Sequence, residues 1–200
     1  PLKELPEAPA DLQELLVTNE YHDACIYGHA LEGNFHFIIS QSFDSPEQVA
    51  RYEKLMDEVK TLVVDKYDGS LKAEHGTGRN MAPFVKYEWG ERAYGFMKAV
   101  KELFDPKGLL NPGVIFNEDP HCHLKHFKPM PLTNAHVDKC IECGFCEVNC
   151  LTCGFSLSSR QRIVIQREIS RLKKLSDTES SERLKTLQKQ YKYLGNATCA

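Results

Sequence analysis

The sequence predicts an α+β fold in which an antiparallel sheet carries helices on one face and is followed by a small α-helical domain. Residues 24–27 and 34–40 are rich in aromatic and β-branched side chains and flank a turn-forming tripeptide at 31–33, so they predict a tight hairpin. Apolar residues then recur at helical spacing and predict helices that pack on this hairpin. Beyond residue 137, a dense cysteine cluster and two amphipathic segments predict the second, smaller domain.

The composition is that of a globular protein, and its charge and hydropathy limit which classes of partner we expect. Of the 200 residues, 42% are hydrophobic and 26% are charged, which argues against a disordered chain. The net charge of -3 gives no general attraction for nucleic acid. No apolar run is long enough for a transmembrane segment, and residues 1–16 lack the basic start and apolar core of a secretion signal. We therefore expect a protein with reduced thiols that is cytoplasmic or peripheral at a membrane.

Three helices are expected in the first domain. A short one is centred on residues 12–17, and a second begins at Ser45, which forms a capping box with Gln48. The second helix has apolar residues at helical spacing on its inward face: Val49, Tyr52, Leu55, Met56, Val59, Leu62 and Val63. A short strand beginning at Leu71 should run into a glycine-hinged loop, before a third helix at 91–104.

We assign residues 1–118 to the first domain, 119–137 to a linker and 138–200 to the second domain. Three prolines and four of the eight histidines lie between residues 118 and 138. These histidines either form a second metal site with Cys122 or are solvated, which is the usual state of linker histidines without fixed spacing.

Two helices are expected in the second domain, one that Ser158 and Ser159 precede and one at 181–193. Between residues 160 and 192, lysine and arginine outnumber the acidic residues. This basic stretch indicates either a docking surface for an acidic electron-transfer partner or an anionic membrane, or a solvated helical face, which is the more common case.

The cysteine cluster has the C-x2-C-x2-C-x3-C spacing of bacterial ferredoxin-type iron-sulfur sites, formed by Cys140, Cys143, Cys146 and Cys150. A short loop surrounds a compact 4Fe-4S cluster only if several thiolates converge from consecutive turns, and Gly144 permits close approach of the backbone. The alternative is a structural zinc site, which usually pairs two C-x2-C units or adds histidine. The spacing favours iron and sulfide.

The cluster departs from the ferredoxin pattern after its fourth cysteine, where Leu151 replaces the usual proline. In two-cluster proteins that fourth cysteine serves the other cluster, so the first cluster takes a ligand from a second motif. Cys199 is the candidate for this ligand, and one residue follows it. We therefore expect a chain cut within a second motif. Cys153 is either a substitute ligand or a bystander.

A second group of candidate ligands comprises His29, His36 and Glu74. If residues 28–36 form a tight hairpin, the two histidines lie across the turn from one another, and Glu74 adds a carboxylate from a neighbouring segment. Two imidazoles and one carboxylate with open positions are a typical ligand set for a catalytic divalent metal. The alternative is that these histidines are ordinary packed or surface residues.

Four motifs occur in one order: GHALEGNFH, AEHGTGRNMAPF, FDPKGLLNPGVI and VDKCIECGFCE. The first three closely resemble the C-terminal half of FAD-linked oxidases of the D-lactate and glycolate dehydrogenase group, which is of the vanillyl-alcohol oxidase type. This resemblance covers about residues 20–120. Residues 135–200 resemble the helical ferredoxin-like segment that some members append. The resemblance implies an upstream FAD-binding domain, so the chain is expected to be a fragment of a longer protein.

The resemblance also implies roles for individual residues. His29, His36 and Glu74 match the ligands of a divalent metal, zinc or similar, and His75 matches the base that acts on the substrate hydroxyl. Asn111 matches a residue that contacts the flavin. Two positions depart from the family pattern: Glu32, where aspartate is common, and Ile38, where many members carry a substrate-contacting asparagine.

The implied function of the parent protein is flavin-dependent oxidation of a D-2-hydroxy acid, with D-lactate favoured and glycolate or D-2-hydroxyglutarate as alternatives. Arg79 and Asn34 are candidate substrate contacts. Electrons would pass from FAD through the iron-sulfur cluster to a quinone, a cytochrome or a protein acceptor. The competing hypothesis is a non-catalytic iron-sulfur or zinc-binding module on an oxidase-like fold. We expect the isolated fragment to be inactive, because no FAD-binding domain is visible in it.

Overall fold

The computed structural model describes residues 4–193, and these fall into two compact units. The first unit ends at Phe127 and the second begins at Lys128. The division lies inside the segment 119–137 that the sequence predicts to be a linker.

The first unit contains helices α1, α2 and α3 and a two-stranded sheet: α1 Ala8–Thr18, β1 Cys25–His29, β2 Asn34–Ile38, α2 Pro46–Lys60 and α3 Val85–Phe104. Short 3-10 turns occupy Ala30–Glu32, Ala82–Phe84 and Cys122–Leu124, and a π-helical turn at Thr61–Lys66 extends α2. The second unit contains α4 Ser159–Leu172 and α5 Thr178–Gln190, with 3-10 turns at Val137–Lys139 and Glu147–Asn149.

The predicted hairpin is confirmed, with β1 and β2 antiparallel and Tyr27 opposite His36. Its turn is a single 3-10 turn closed by Gly33, whose φ of 64° lies in the left-handed region where glycine has no steric penalty. Strand β1 extends to His29, two residues beyond the predicted end, so the first histidine lies within the ladder. Both histidines are therefore held by strand pairing and not by a flexible turn.

The helices lie on one face of the sheet, as predicted. The core of the first unit consists of Leu12 and Leu16 from α1, Tyr21, and Leu55 and Val59 from α2. Apolar residues of the hairpin that face inward pack against it: Ala24, Ile26, Phe37 and Ile39. Burial of this apolar surface supplies the main stabilising free energy of the unit, because a two-stranded sheet by itself is marginal in water.

Helix α2 begins at the predicted cap. The Ser45 hydroxyl accepts a hydrogen bond from the backbone N–H of Gln48, and the Gln48 side chain accepts one from the Ser45 backbone N–H. This reciprocal pairing satisfies donors that the first helical turn leaves free.

The strand expected at Leu71 does not form. Residues 71–75 are irregular, because the Leu71 backbone N–H donates to the Glu88 carboxylate and, in the described residues, the backbone of 70–76 makes no hydrogen bond to other backbone groups. The glycine-hinged loop that follows is as expected, with left-handed φ values of 73° at Gly76 and 59° at Gly78. The third helix is assigned from Val85, but Gly90 has φ 73° and ψ 167°, so the helix proper starts at the predicted residue 91 after a kink.

The segment after α3 packs on the first unit. Cys122 and His123 are buried, and the Phe127 ring stacks on Phe43 with 3.8 Å between centroids. The first part of the predicted linker is thus folded against the first unit.

In the second unit, α4 begins directly after Ser158, as expected, and Ser158 and Gln161 form a capping box that the sequence prediction did not include. Helix α5 begins at Thr178, three residues before the predicted start, because the Asp177 side chain accepts a hydrogen bond from the Ser180 backbone N–H and acts as the cap. None of the helices within residues 4–193 combines the length and the hydropathy that crossing a membrane would need.

Candidate functional site

The register of the hairpin brings the two histidines to one face. Tyr27 lies opposite His36 and His29 lies opposite Asn34. Because side chains alternate along a strand, these four residues point to the same side, and His29 and His36 are diagonal neighbours. Their rings are 5.8 Å apart and nearly perpendicular.

Glu74 approaches this face from the irregular loop at 71–79. One carboxylate oxygen, Oε2, lies 3.4 Å from His29 Nε2, and the other, Oε1, lies 3.3 Å from His36 Nε2. The carboxylate therefore lies between the two imidazoles, although it is 38 residues from one and 45 from the other along the chain.

The three side chains fit a divalent metal. Their ligand atoms lie within 4.8 Å of one another, and among residues 4–193 no other group of three or more His, Cys, Asp or Glu ligands meets this condition. His36 is 10% exposed, and its buried Nε2 has no hydrogen-bond partner despite its closeness to Glu74. A buried imidazole nitrogen without a hydrogen bond is costly unless it has a further partner, and a metal ion is the partner that this donor set suits.

His75 stands beside the three ligands and opens to solvent. Its Nε2 lies 3.3 Å from Glu74 Oε1, and its ring is 4.8 Å from that of His36. With 75% of its side chain exposed, it is more exposed than His29, His36 or Glu74. A molecule bound at the ligands would therefore meet the His75 imidazole.

The two candidate substrate contacts have other partners in the structure. The Asn34 side-chain oxygen accepts a hydrogen bond of 3.1 Å from the His29 backbone N–H and so braces the hairpin turn. The Arg79 guanidinium donates to the backbone oxygen of Cys122 at 3.3 Å. Asn34 lies beside the histidines, whereas Arg79 ties the loop to the segment that follows α3.

Asn111 lies in a turn that one carboxylate organises. The Asp105 side chain accepts hydrogen bonds from the backbone N–H groups of Leu109 and Leu110 and from Lys101 Nζ. The Lys101 hydrogen bond, followed by those from Leu110 and Leu109, lowers the Asp105 pKa to about 2. Asn111 itself has φ 44°, a conformation that asparagine tolerates better than most residues.

Two residues of the site were missed by the sequence analysis. Tyr27 stacks on His36 with ring centroids 5.2 Å apart and an 18° interplanar angle. The alternation of side chains along β1 places it on the His29 face, which is a signal that the sequence offered. The second residue is Glu88, whose carboxylate accepts hydrogen bonds from Ser70 and Leu71 in the loop that carries Glu74. No local sequence pattern predicts this contact.

The cysteine loop of the second unit is built from repeated turns. Cys140 and Cys150 each follow a 3-10 turn, and Gly144 takes a left-handed φ of 84°. The backbone N–H of Glu142 donates to Cys140 Sγ at 3.3 Å. None of the cysteines in the described residues forms a disulfide.

The loop is attached to α4 by charged residues. Glu142 and Arg167 pair at 2.6 Å with 5% of each side chain exposed, and Arg167 also donates to the backbone oxygen of Cys140. A hydrogen bond with the Thr152 hydroxyl, together with hydrogen bonds from the Ser159 and Thr152 backbone N–H groups, lowers the pKa of Cys150 to about 6. A thiol with this pKa is largely thiolate at neutral pH, the form that binds metal.

Over the described part of the chain, the cysteine sulfurs form no group of three or more within 4.8 Å of one another. Cys153 is exposed next to this loop, and Cys199 lies outside the described residues.

Among the described residues, the linker histidines belong to no group of three or more ligand atoms within 4.8 Å of one another. His121 is exposed and pairs with Glu53 at 3.4 Å. His123 is buried, which lowers its pKa, and its ring contacts Phe84 at 5.1 Å. His123 is thus mainly a packing residue.

Three proteins of similar sequence are named as dehydrogenases or an oxidase subunit for hydroxy acids. A D-2-hydroxyglutarate dehydrogenase of Stutzerimonas stutzeri is 37% identical over 116 residues, 55% of this chain and 25% of that protein. The glycolate oxidase subunit GlcD of Bacillus subtilis is 32% identical over 95 residues, 48% of this chain and 20% of that protein. A mitochondrial D-lactate dehydrogenase (cytochrome) 1 of Saccharomyces cerevisiae is 31% identical over 119 residues, 60% of this chain and 19% of that protein.

The chain spans a quarter or less of the length of these relatives. No solved structure shows significant similarity to it. Residues 1–115 match the family described as FAD linked oxidases, C-terminal domain, which confirms the resemblance drawn from the first three motifs; the resemblance of residues 135–200 to a ferredoxin-like segment stays a prediction. The paired histidines on the hairpin and the Glu74-His75 loop lie within that match, and the chain belongs to the family of FAD-linked oxidase C-terminal domains.

Proposed function

We propose that this chain is the metal- and substrate-holding part of a flavin-dependent dehydrogenase that oxidises a D-2-hydroxy acid. The observation that carries the proposal is the convergence of His29, His36 and Glu74 within 4.8 Å, with His75 exposed beside them. The names of similar proteins support D-lactate, glycolate and D-2-hydroxyglutarate as the substrates to test, D-lactate first.

In this proposal the two imidazoles and the carboxylate hold a divalent cation, zinc or similar. Such a cation, when bound, acts as a Lewis acid that lowers the pKa of a ligated hydroxyl group. The Tyr27 ring stacks on His36 and limits its rotation, and the hydrogen bond from the His29 backbone to Asn34 fixes the turn. The hairpin therefore presents its ligands with little freedom, as a catalytic site requires.

His75 is the proposed base. Its imidazole would accept the proton of the substrate hydroxyl while the carbon that bears this hydroxyl gives up a hydride to the flavin, and its Nε2 lies 3.3 Å from Glu74 Oε1. Proton transfer to a positioned imidazole typically contributes a factor of about 10² to 10⁴ to the rate. FAD, bound mainly by a domain upstream of this chain and contacted by Asn111, supplies the two-electron acceptor.

We also propose that Cys140, Cys143, Cys146 and Cys150 hold a 4Fe-4S cluster, with Cys199 as a ligand from a second motif. The cluster, when bound, supplies one-electron transfer towards a quinone, cytochrome or protein acceptor. The spacing of the cysteines, the turns that precede Cys140 and Cys150 and the low pKa of Cys150 support this part of the proposal.

The experiment is D-lactate-dependent reduction of a redox dye by the full-length enzyme, compared with its His75→Gln variant. Loss of the base should lower kcat at least about 100-fold while the divalent metal content is unchanged. His22→Gln, an exposed histidine outside the site, is the matched control and should retain full activity. Unchanged turnover in the His75 variant, or no reduction by any of the three acids, would overturn the proposal.

A further inference from the structure

Glu88, near the start of α3, is a buried carboxylate that binds the loop carrying Glu74. Its side chain is 8% exposed. Oε1 accepts a hydrogen bond of 2.6 Å from the Ser70 hydroxyl and lies 3.4 Å from Lys72 Nζ, while Oε2 accepts one of 3.2 Å from the Leu71 backbone N–H. One side chain thus contacts three successive residues that lie just before Glu74.

The far end of this loop is also attached. The Ile115 backbone N–H donates to the Gly78 carbonyl oxygen at 3.2 Å, and Arg79 donates to the Cys122 carbonyl oxygen at 3.3 Å. In the described residues, the backbone of 70–76 makes no hydrogen bond to other backbone groups. The position of Glu74 therefore depends on the anchors at the two ends of the loop.

We infer that Glu88 is a positioning residue for metal binding: it fixes the loop at 70–72 so that the Glu74 carboxylate meets His29 and His36. The inference rests on the proposed function of this site. A metal site tolerates displacements of only about 0.5 Å in its ligands, so release of the anchor should reach the ion even though Glu88 does not touch it. Supporting residues of this kind typically change metal affinity about 10- to 100-fold when replaced.

The test is a titration of the 200-residue chain with Co²⁺, whose visible absorption reports the number and geometry of its ligands. The signal counted is the difference between the chain and its His36→Ala variant, which excludes ions bound at the cysteines. Glu88→Gln should weaken Co²⁺ binding about tenfold and alter the absorption band. Glu91→Gln is the control, since Glu91 lies three residues further along the chain, just after the Gly90 kink, is 81% exposed and pairs with Lys86 at the surface.

A purely structural role for Glu88 would lower thermal stability without changing the Co²⁺ spectrum of the folded protein. If Glu88→Gln does not fold, Ser70→Ala removes a single donor to the same carboxylate and should produce a smaller loss of affinity. Wild-type affinity and spectrum in a folded Glu88→Gln chain would overturn the inference.

Failure of the proposed function gives a different result. In that case wild type and His36→Ala bind Co²⁺ identically. The imidazole signals of His36 and His75 in nuclear magnetic resonance spectra of the metal-free chain then decide the anchoring. Glu88→Gln should shift both signals if Glu88 positions the loop, and unchanged signals would overturn the inference.

Discussion

Asp105 shows how one side chain organises a turn. Its carboxylate lies at the end of α3 and accepts hydrogen bonds from Leu109, Leu110 and Lys101, which closes the turn that presents Asn111. Lys101 Nζ also donates to the Leu110 carbonyl oxygen at 2.6 Å. Because the left-handed φ of Asn111 is unfavourable for most residues, these bonds are what keep the turn in place.

The lowered pKa of Asp105 predicts an acid-sensitive stability. The folded value of about 2 lies below the ordinary value of 3.8, so the carboxylate stabilises the fold above pH 4 and this contribution is lost as the pH falls towards 2. We expect Asp105→Asn to lower the melting temperature at neutral pH and to flatten its decline between pH 4 and pH 2. Thermal unfolding monitored by circular dichroism across this range measures both effects.

Glu102→Gln is the control for this prediction, because Glu102 is an exposed acid on the same helix. Its acid profile should follow that of the wild type. A parallel decline in the Asp105 and Glu102 variants would contradict the role of the Asp105 hydrogen bonds.

At the scale of the element, the hairpin is the part of the fold that makes two histidines into one site. Gly28 lies between Tyr27 and His29 and faces the other side of the sheet. A Cβ at this position would lie 2.1 Å from the Asn34 carbonyl oxygen, far inside van der Waals contact. The close pairing of the strands, and with it the diagonal arrangement of His29 and His36, therefore requires glycine.

Gly28→Ala is expected to push the two strands apart, destabilise the protein by at least about 2 kcal/mol and weaken divalent metal binding. Urea unfolding and the Co²⁺ titration measure the two effects. Gly95→Ala in α3 is the control, since a Cβ at this position meets nothing within 4 Å. Because alanine is more favourable than glycine in a helix, the free energy of unfolding should rise by about 0.5 to 1 kcal/mol. A Gly28→Ala protein as stable as wild type would be inconsistent with this packing.

At the scale of the whole molecule, two compact units carry donor sets of different chemistry. The first unit brings two imidazoles and a carboxylate together on its hairpin and loop, and the second carries the clustered cysteines at 140, 143, 146, 150 and 153. Imidazole and carboxylate ligands suit a divalent ion such as zinc, whereas clustered thiolates suit iron and sulfide. Since each set lies within one unit, their metal contents should vary independently.

Metal and sulfide analysis of the full-length protein, purified without oxygen, tests this independence. Cys146→Ser should remove most of the iron and sulfide and leave the divalent metal. His36→Ala should remove the divalent metal and leave the iron and sulfide. Zinc at the cysteines without iron in the wild type would contradict the iron-sulfur proposal. Loss of both metals in either variant would contradict independent sites.

Local patterns in the sequence predicted the elements whose structure depends on near neighbours. The Ser45-Gln48 cap, the start of α4 after Ser158, the hairpin and the apolar face of α2 each depend on residues within a few positions of one another. The pairing of His29 with His36 could be predicted from the sequence for the same reason, because one short turn separates the two residues.

What only the tertiary structure decided is the geometry that joins distant segments. Glu74 was expected near a strand end, yet it reaches the histidines from an irregular loop, because the Glu88 side chain and not a neighbouring strand takes the Leu71 backbone donor. Arg79 pairs with the segment after α3, since that segment folds back on the first unit. Such contacts join residues 17 or more positions apart, and no local periodicity encodes them. The sequence therefore predicted which residues form the site, whereas long-range packing supplies the contacts that position them.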